Sequence, residues 1–181
     1  MIRTVGHSNH PIERFLTLLA RAGVRLLVDV RSKPYSRRFP QFGKERLARA
    51  LAEAGIDYLW EGEALGGMAG AYNDTARKPA FGQALDRVVE KSGGTSLCLM
   101  CAEKEPLDCH RTLLVSRRLA ERGQPIEHLL ADGTVRPHAE IEEQLLAKAA
   151  KNPGGDLFED RAQQLARAYD ARERAMKGGY S

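Results

Sequence analysis

The sequence has no apolar run that approaches the ~20 residues needed to cross a membrane. Its first ten residues also lack the apolar stretch of a signal peptide, because polar residues begin at Gly6. Cysteine is scarce: the three cysteines are an odd number and do not form the disulfide framework of a secreted domain. We therefore expect a cytoplasmic protein that is not associated with a membrane.

Several cofactor and metal motifs are missing as well. There is no GxGxxG and no GxxxxGK[ST] pattern, which disfavours the usual dinucleotide and P-loop sites. Cys101, Cys109 and His110 are candidate zinc ligands, but no second CxxC or HxxxH pair completes a site. We therefore assign no metal ligands and no cofactor. The net charge of +4 and the pI near 9.1 allow an acidic partner but are too small to establish nucleic-acid binding.

The sequence does contain short apolar runs that alternate with longer segments of helical periodicity. This alternation predicts a three-layer α/β fold, in which a mostly parallel five-stranded sheet has helices on both faces. The predicted strands are residues 1–5, 26–30, 56–60, 95–102 and 126–130. Cys98 lies between Leu97 and Leu99 in the fourth strand and is expected to be a core residue. The predicted helices follow residue 10 and cover residues 44–54, 81–94, 113–123 and 137–150.

We expect residues 1–150 to form a single α/β domain. Asn152-Pro153-Gly154-Gly155 interrupts the pattern, so residues 151–181 are predicted to be a linker and a C-terminal amphipathic helix with a short flexible end. The apolar stripe of that helix consists of Phe158, Ala162, Leu165 and Tyr169. It packs on its own domain or, alternatively, forms a contact with a partner or a second copy in a homodimer.

Polar residues gather after the predicted strands, where parallel sheets bind ligands. The loop after the second strand is basic, and arginine and lysine suit phosphate or carboxylate oxygens. Asp29 precedes Arg31 and is expected to orient it. Tyr35 and Phe39 lie among the cations and are candidates to stack on a base or ring. The cations of this loop are Arg31, Lys33, Arg37 and Arg38.

The loop after the fourth strand carries the most reactive side chains. Cys109 begins a predicted helix beside His110 and Arg111, a setting that can lower the pKa of a thiol and make it nucleophilic. Cys101 is near enough in sequence to pair with Cys109. The two could be a catalytic and a resolving thiol, part of a metal site, or inert. Glu103 is a candidate general base or a partner that orients an arginine.

The remaining histidines divide by position. His7 follows the first strand and is an acid–base candidate, whereas His10 is expected at a helix start. His128 is expected to be a satisfied core or edge histidine, and His138 to cap a helix. We thus predict catalytic roles for Cys109, Glu103 and His7. The predicted substrate- or anion-binding residues are Ser8, Asp29, Arg31, Arg37, His110, Arg111 and Cys101.

The order of these motifs resembles the domain-of-unknown-function family 488. The motifs are Thr4-Val5-Gly6-His7-Ser8, Val28-Asp29-Val30-Arg31-Ser32-Lys33-Pro34, Leu65-Gly66-Gly67, Cys101-Ala102-Glu103-Lys104 and Cys109-His110-Arg111. The resemblance covers residues 2–146. It implies a compact α/β fold whose motif residues share one cleft, and it implies no substrate or reaction.

Three functions fit the sequence. The first is an enzyme that acts on a phosphate-bearing small molecule or nucleotide-like substrate in a Cys/His/Arg/Glu cleft. The second is a nucleic-acid-binding or base-processing protein, in which the basic loop holds the backbone. The third is a non-catalytic interaction module that uses the C-terminal helix. The convergence of reactive side chains on one edge favours the first function.

Overall fold

Six strands form one sheet in the computed structural model, which describes residues 1–68, 70–150 and 159–178. The strands are β1 (Ile2–Gly6), β2 (Leu26–Asp29), β3 (Asp57–Trp60), β4 (Leu97–Cys101), β5 (Ile126–Leu129) and β6 (Val135–Pro137). Their order in the sheet is β3-β2-β4-β1-β5-β6. The first five strands pair in parallel, and β6 pairs antiparallel with β5. The predicted mostly parallel α/β fold is confirmed.

The sixth strand adds to the predicted five. It has three exposed residues and ends at Pro137, which cannot donate a ladder hydrogen bond and is therefore confined to sheet edges. So short and polar a segment shows no alternation of apolar residues, which is why periodicity did not reveal it.

Helices cover both faces of the sheet. They are α1 (Ile12–Arg21), α2 (Lys44–Glu53), α3 (Gly62–Leu65), α4 (Tyr72–Ala76), α5 (Pro79–Gly94), α6 (Arg117–Glu121), α7 (His138–Ala149) and α8 (Arg161–Gly178). Helices α1 and α2 pack on one face against Leu27 and Met100, and α5, α7 and α8 pack on the other against Val28 and Leu99. Cys98 is fully buried in the first of these layers, as its position in β4 predicted.

Three segments differ from the predicted helices. Residues 61–78, expected to be loop, contain the short helices α3 and α4. The helix expected over residues 113–123 begins earlier, as a π-helical turn over Arg111–Ser116 that continues into α6. The first helix begins at Ile12 after Pro11, so His10 does not cap it.

The C-terminal helix α8 packs on the domain. Ala168 and Tyr169 are buried in the same core cluster as Ile141 and Leu145 of α7. The apolar stripe is thus used within the chain, although Ala162 stays exposed. The described residues do not include the predicted linker, Phe158 or the last three residues. None of the described helices has the length and apolar content to span a membrane.

A chain of buried polar groups links the sheet to α8. His128 Nδ1 is 2.8 Å from Thr4 Oγ1, and His128 Nε2 is 2.9 Å from His138 Nδ1. His138 Nε2 is 3.0 Å from the Tyr169 hydroxyl, which donates to Glu142 at 3.0 Å. His128 is therefore a satisfied core histidine, as expected. His138 is the first residue of α7 and bonds to side chains instead of capping the helix.

Candidate functional site

The site lies where the central strands β2, β4 and β1 end. The loops after β1 and β4 continue the sheet pairing, because the backbone N–H groups of His7 and Ser8 donate to Cys101 O and Ala102 O at 2.9 Å. Gly6 permits this close approach, since a Cβ there would lie 1.8 Å from Glu103 O. Ser8 adopts a φ of +51°, which few non-glycine residues tolerate. The two loops therefore form one closely packed unit.

A cleft of about 630 Å³ opens above these loops. Five of the predicted site residues line it: His7, Ser8, Arg31, Glu103 and His110. The lining also carries the cations Lys33, Arg38 and Lys104, and the aromatic rings of Tyr35 and Phe39. Among the other predicted residues, Asp29, Cys101, Cys109 and Arg111 are buried, and none of the four lines the cleft. Arg37 lines an adjacent groove instead.

Arg31 is fixed by a buried carboxylate, in the manner expected from Asp29. Its Nε and NH2 groups donate to the two oxygens of Asp29 at 2.9 and 2.6 Å, and NH2 also donates to Phe42 O at 2.8 Å. Tyr58 supplies a further donor to Asp29 at 2.8 Å. A guanidinium held in this way presents a fixed set of donors, so Arg31 forms a preorganised part of the cleft wall.

His7 is a neutral imidazole at neutral pH. Burial and the Arg31 charge lower its pKa to about 4, and its ring stacks on Phe42 at 4.1 Å. Its Nδ1 donates to Ser8 O at 2.8 Å, which leaves Nε2 to accept a hydrogen bond from Arg31 NH1 at 3.3 Å. These contacts favour a positioning role towards Arg31 over a role in proton transfer.

His110 joins three loops around the cleft. Its Nε2 donates to Val30 O at 2.8 Å, and Nδ1 lies 3.8 Å from Cys109 Sγ. Burial lowers the pKa of His110, so this ring is also neutral. Gly67 packs directly on it, because a Cβ at residue 67 would lie 2.4 Å from the His110 Cβ. The Gly66-Gly67 turn therefore makes room for a histidine of the site.

Cys101 and Cys109 lie together in the layer of side chains below the cleft. The sulfur atoms of Cys101 and Cys109 are in contact. Cys109 Sγ lies 2.9 Å from Glu103 Oε2 and accepts the backbone N–H of Arg111 at 3.3 Å. The sequence-based pairing of Cys101 with Cys109 thus corresponds to real proximity, next to the carboxylate that lines the cleft.

Arg111 holds the loop after β4 from below. It is fully buried, and its NH1 group donates to Cys101 Sγ at 2.8 Å and to Glu103 O at 2.6 Å. NH2 donates to Lys104 O at 3.1 Å. Burial lowers the pKa of Arg111 to about 10, which still leaves it charged at neutral pH. Its charge therefore lies next to the two sulfur atoms, and its contacts fix the backbone that carries Glu103.

A metal ion would find three ligand atoms in this cluster. The donor atoms of Cys101, Glu103 and Cys109 lie within 4.8 Å of one another, the candidate metal group found within the described ranges. The Arg111 guanidinium already provides a positive charge at 2.8 Å from Cys101 Sγ and would repel a second cation. We therefore assign no metal to the cluster.

Sequence reasoning missed two residues that build the site. Phe42 stacks on His7 and accepts a hydrogen bond from Arg31, although it follows the basic loop in a segment with no motif. Ser32 lines the cleft, and its hydroxyl accepts the Met68 N–H at 3.3 Å. Ser32 lies inside the Arg31-Ser32-Lys33 motif, so its position next to Arg31 was the available signal.

Comparison with known proteins yields one family and one distant structure. No curated protein matches the chain significantly. The distant structure is a crystal structure of a DUF442 protein from Shewanella putrefaciens CN-32, provisionally named a phosphatase. The two sequences are 16% identical, and the alignment covers 98% of this chain and 85% of that one. Its TM-score of 0.38 is too low to support a conclusion about this chain. The family described as domain of unknown function DUF488 matches residues 11–118, more than half of the sequence, and the chain therefore belongs to that family.

Proposed function

We propose that this protein is an enzyme that hydrolyses a phosphate ester of a nucleotide-like substrate bound in the cleft. The observation that carries the proposal is the charge of the cleft lining. It holds Lys33, Arg38 and Lys104 with a single carboxylate, Glu103, while Arg31 is paired with the buried Asp29. Lys104 lies 3.8 Å from the exposed Glu105 carboxylate, but Lys33 and Arg38 have no acidic partner among the described residues. The lining thus keeps an excess of positive charge, which suits a phosphate group.

Arg31 is the proposed phosphate anchor. Four of its five N–H groups are directed to Asp29, Phe42 O and His7, and the second proton of NH1 has no partner among the described residues. Arg31 lines the cleft while only 5% exposed, so a ligand that reaches it leaves bulk water. A charge-assisted hydrogen bond is stronger in such a setting than in solvent.

Glu103 is the proposed group that moves the proton. Its Oε2 faces Cys109 Sγ, and no residue in the described ranges bonds to Oε1. In the proposed reaction, water adds to phosphorus and gives a proton to Glu103. The bond from phosphorus to the leaving oxygen then breaks, and that oxygen takes the proton back. Cys109 Sγ lies 2.9 Å from the other oxygen of this carboxylate, and the neutral His7 accepts a hydrogen bond from Arg31.

The experiment is a screen for phosphate release from phosphomonoesters, nucleotides and short oligonucleotides. Glu103→Gln keeps the shape of the side chain and removes its basicity, so we expect turnover to fall about 100-fold or more. Glu105→Gln is the matched control, because Glu105 lies in the same loop with its side chain 60% exposed. We expect the control to keep wild-type turnover.

Binding is measured in parallel by thermal shift with inorganic phosphate and nucleotides, since a ligand of the native state raises the melting temperature. We expect Glu103→Gln to bind as tightly as wild type. The proposal is wrong if neither phosphate nor any nucleotide raises the melting temperature. It is also wrong if Glu103→Gln and Glu105→Gln turn over a substrate equally well.

A further inference from the structure

A second groove adjoins the cleft at two shared lining residues. The groove has a volume of about 520 Å³ and shares Tyr35 and Ser36 with the cleft lining. It extends from these two residues to the beginning of α2, where Lys44 and Arg46 lie. A ligand that fills the cleft can therefore continue into the groove without leaving the protein surface.

The groove carries the same sign of charge as the cleft. Arg37, Lys44 and Arg46 line it together with one acidic residue, Glu45. None of the three cations forms an ion pair with an acidic side chain among the described residues. Lys44 instead lies over the Trp60 ring, with Nζ 4.5 Å from its centroid. Such unpaired cations in a row suit a ligand with several phosphates in succession.

An exposed aromatic ring stands at the junction of the two cavities. Tyr35 is 70% exposed, so its ring contributes little to the core and is accessible to a ligand. Aromatic side chains beside a cationic groove are a common arrangement in proteins that bind single-stranded nucleic acids, because each base can stack on a ring. Inorganic polyphosphate would use the cations but would gain nothing from Tyr35.

We infer that the substrate is the phosphorylated end of a single-stranded nucleic acid. Its terminal phosphate enters the cleft at Arg31, a base stacks on Tyr35, and the following phosphates lie along Arg37, Lys44 and Arg46. This inference rests on the proposed function, because it places the reacting phosphate in the same cleft. It adds the substrate class and a second binding surface that extends beyond the cleft.

Single strands are favoured over duplexes by the same ring. A base must be unstacked from its neighbours before it can lie on Tyr35, and a duplex would have to give up stacking and pairing to supply one. We therefore expect a single-stranded oligonucleotide to bind more tightly than a duplex of equal length.

The test is fluorescence anisotropy with a labelled hexathymidylate that carries a 5′-phosphate. Thymidine monophosphate, inorganic polyphosphate and a six-base-pair duplex serve as competitors. We expect the hexanucleotide to bind at least tenfold more tightly than the mononucleotide, with an affinity that falls as salt rises. Tyr35→Ala should weaken hexanucleotide binding about tenfold and leave polyphosphate binding unchanged.

The groove cations are tested by the double variant Lys44→Ala/Arg46→Ala. Loss of two phosphate contacts should reduce the slope of log affinity against log salt by about 1.4 for a single strand. Affinity for thymidine monophosphate should stay within about twofold of wild type. The control is Arg21→Ala/Arg25→Ala, which removes the same charge from two exposed positions. Arg21 lies at the end of α1 and Arg25 just before β2, at the end of the strands opposite the cleft.

The outcomes separate the two proposals. If phosphate and thymidine monophosphate bind but the hexanucleotide binds no more tightly, the inference is wrong and the proposed function stands. If none of the three binds, both fail. Equal losses of hexanucleotide affinity in the groove variant and in the control would overturn the inference, and so would a duplex or polyphosphate that competes as well as the single strand.

Discussion

Acid should disrupt the buried series of hydrogen bonds that links the sheet to α8, because each of these hydrogen bonds has a fixed direction. The Glu142 carboxylate can only accept, so the Tyr169 hydroxyl donates to it. Tyr169 O then accepts from His138 Nε2, and His138 Nδ1 accepts from His128 Nε2. A proton added to His138 Nδ1 would face the N–H of His128, and the hydrogen bond between the two rings would be lost.

The magnitude follows from the pKa of His138, which burial lowers from 6.5 to about 4. Between these two values the unfolded chain binds a proton at residue 138 and the folded chain does not, so stability falls as the pH falls. The contribution is fully present above about pH 6.5 and fully lost below about pH 4. At ~1.4 kcal/mol per pKa unit, the full loss amounts to about 3.5 kcal/mol, of which about 2.5 kcal/mol has occurred at pH 4.5.

The assay is urea unfolding followed by circular dichroism at pH 7.5, 6.0 and 4.5, for wild type and His138→Gln. Glutamine offers an oxygen that can accept from His128 but does not titrate. His7, whose pKa is also lowered to about 4, and Glu142, whose pKa burial raises, are present in both proteins, so their direct contributions cancel in the difference. We expect the stability advantage of wild type to shrink by about 2.5 kcal/mol between pH 7.5 and 4.5. A difference that does not change with pH would refute the reasoning.

Two further predictions concern single positions. Gly67→Ala should displace His110, whose Cβ would be 2.4 Å from the new methyl group, and should abolish the thermal shift with phosphate. Gly93→Ala, which meets no atom within 4 Å, should preserve that shift and leave the protein at least as stable; equal effects would contradict the packing argument. Cys98 is fully buried, and burial raises the pKa of its thiol to about 12, so iodoacetamide at pH 8 should not label it in the native protein. Mass spectrometry after labelling in urea provides the comparison, and rapid native labelling of Cys98 would show that β4 is less protected than its packing indicates.

The sequence allowed the sheet and the location of the cleft to be predicted, because both depend on local patterns. Apolar runs marked the five parallel strands, and polar residues directly after them marked the edge where the loops meet. The pairing of Asp29 with Arg31 was also predictable, since Arg31 lies only two positions after the carboxylate at the end of β2. Cys98 followed from its position between apolar neighbours in β4.

The depth at which each side chain lies could not be predicted. Arg111 was expected to face an anion, yet the π-helical turn that begins there directs it beneath the loop after β4. The roles of Cys109 and Glu103 depend on that same loop, whose course is set by Gly6 more than 90 residues earlier in the chain. The contact between His138 and Tyr169 spans 31 residues and has no sequence pattern. Such long-range contacts exist only in the folded protein.

The position of β1 determines which fragments of this chain can fold. The family match begins at residue 11 and ends at residue 118, so it omits both β1 and β5. In the sheet, β1 lies between β4 and β5 and pairs with each of them. A fragment limited to the matched residues would expose the whole edge of β4, and an apolar open edge of that kind pairs readily with other chains and aggregates. Expression of a usable fragment therefore requires the first few residues as well as β5, although neither lies in the matched region.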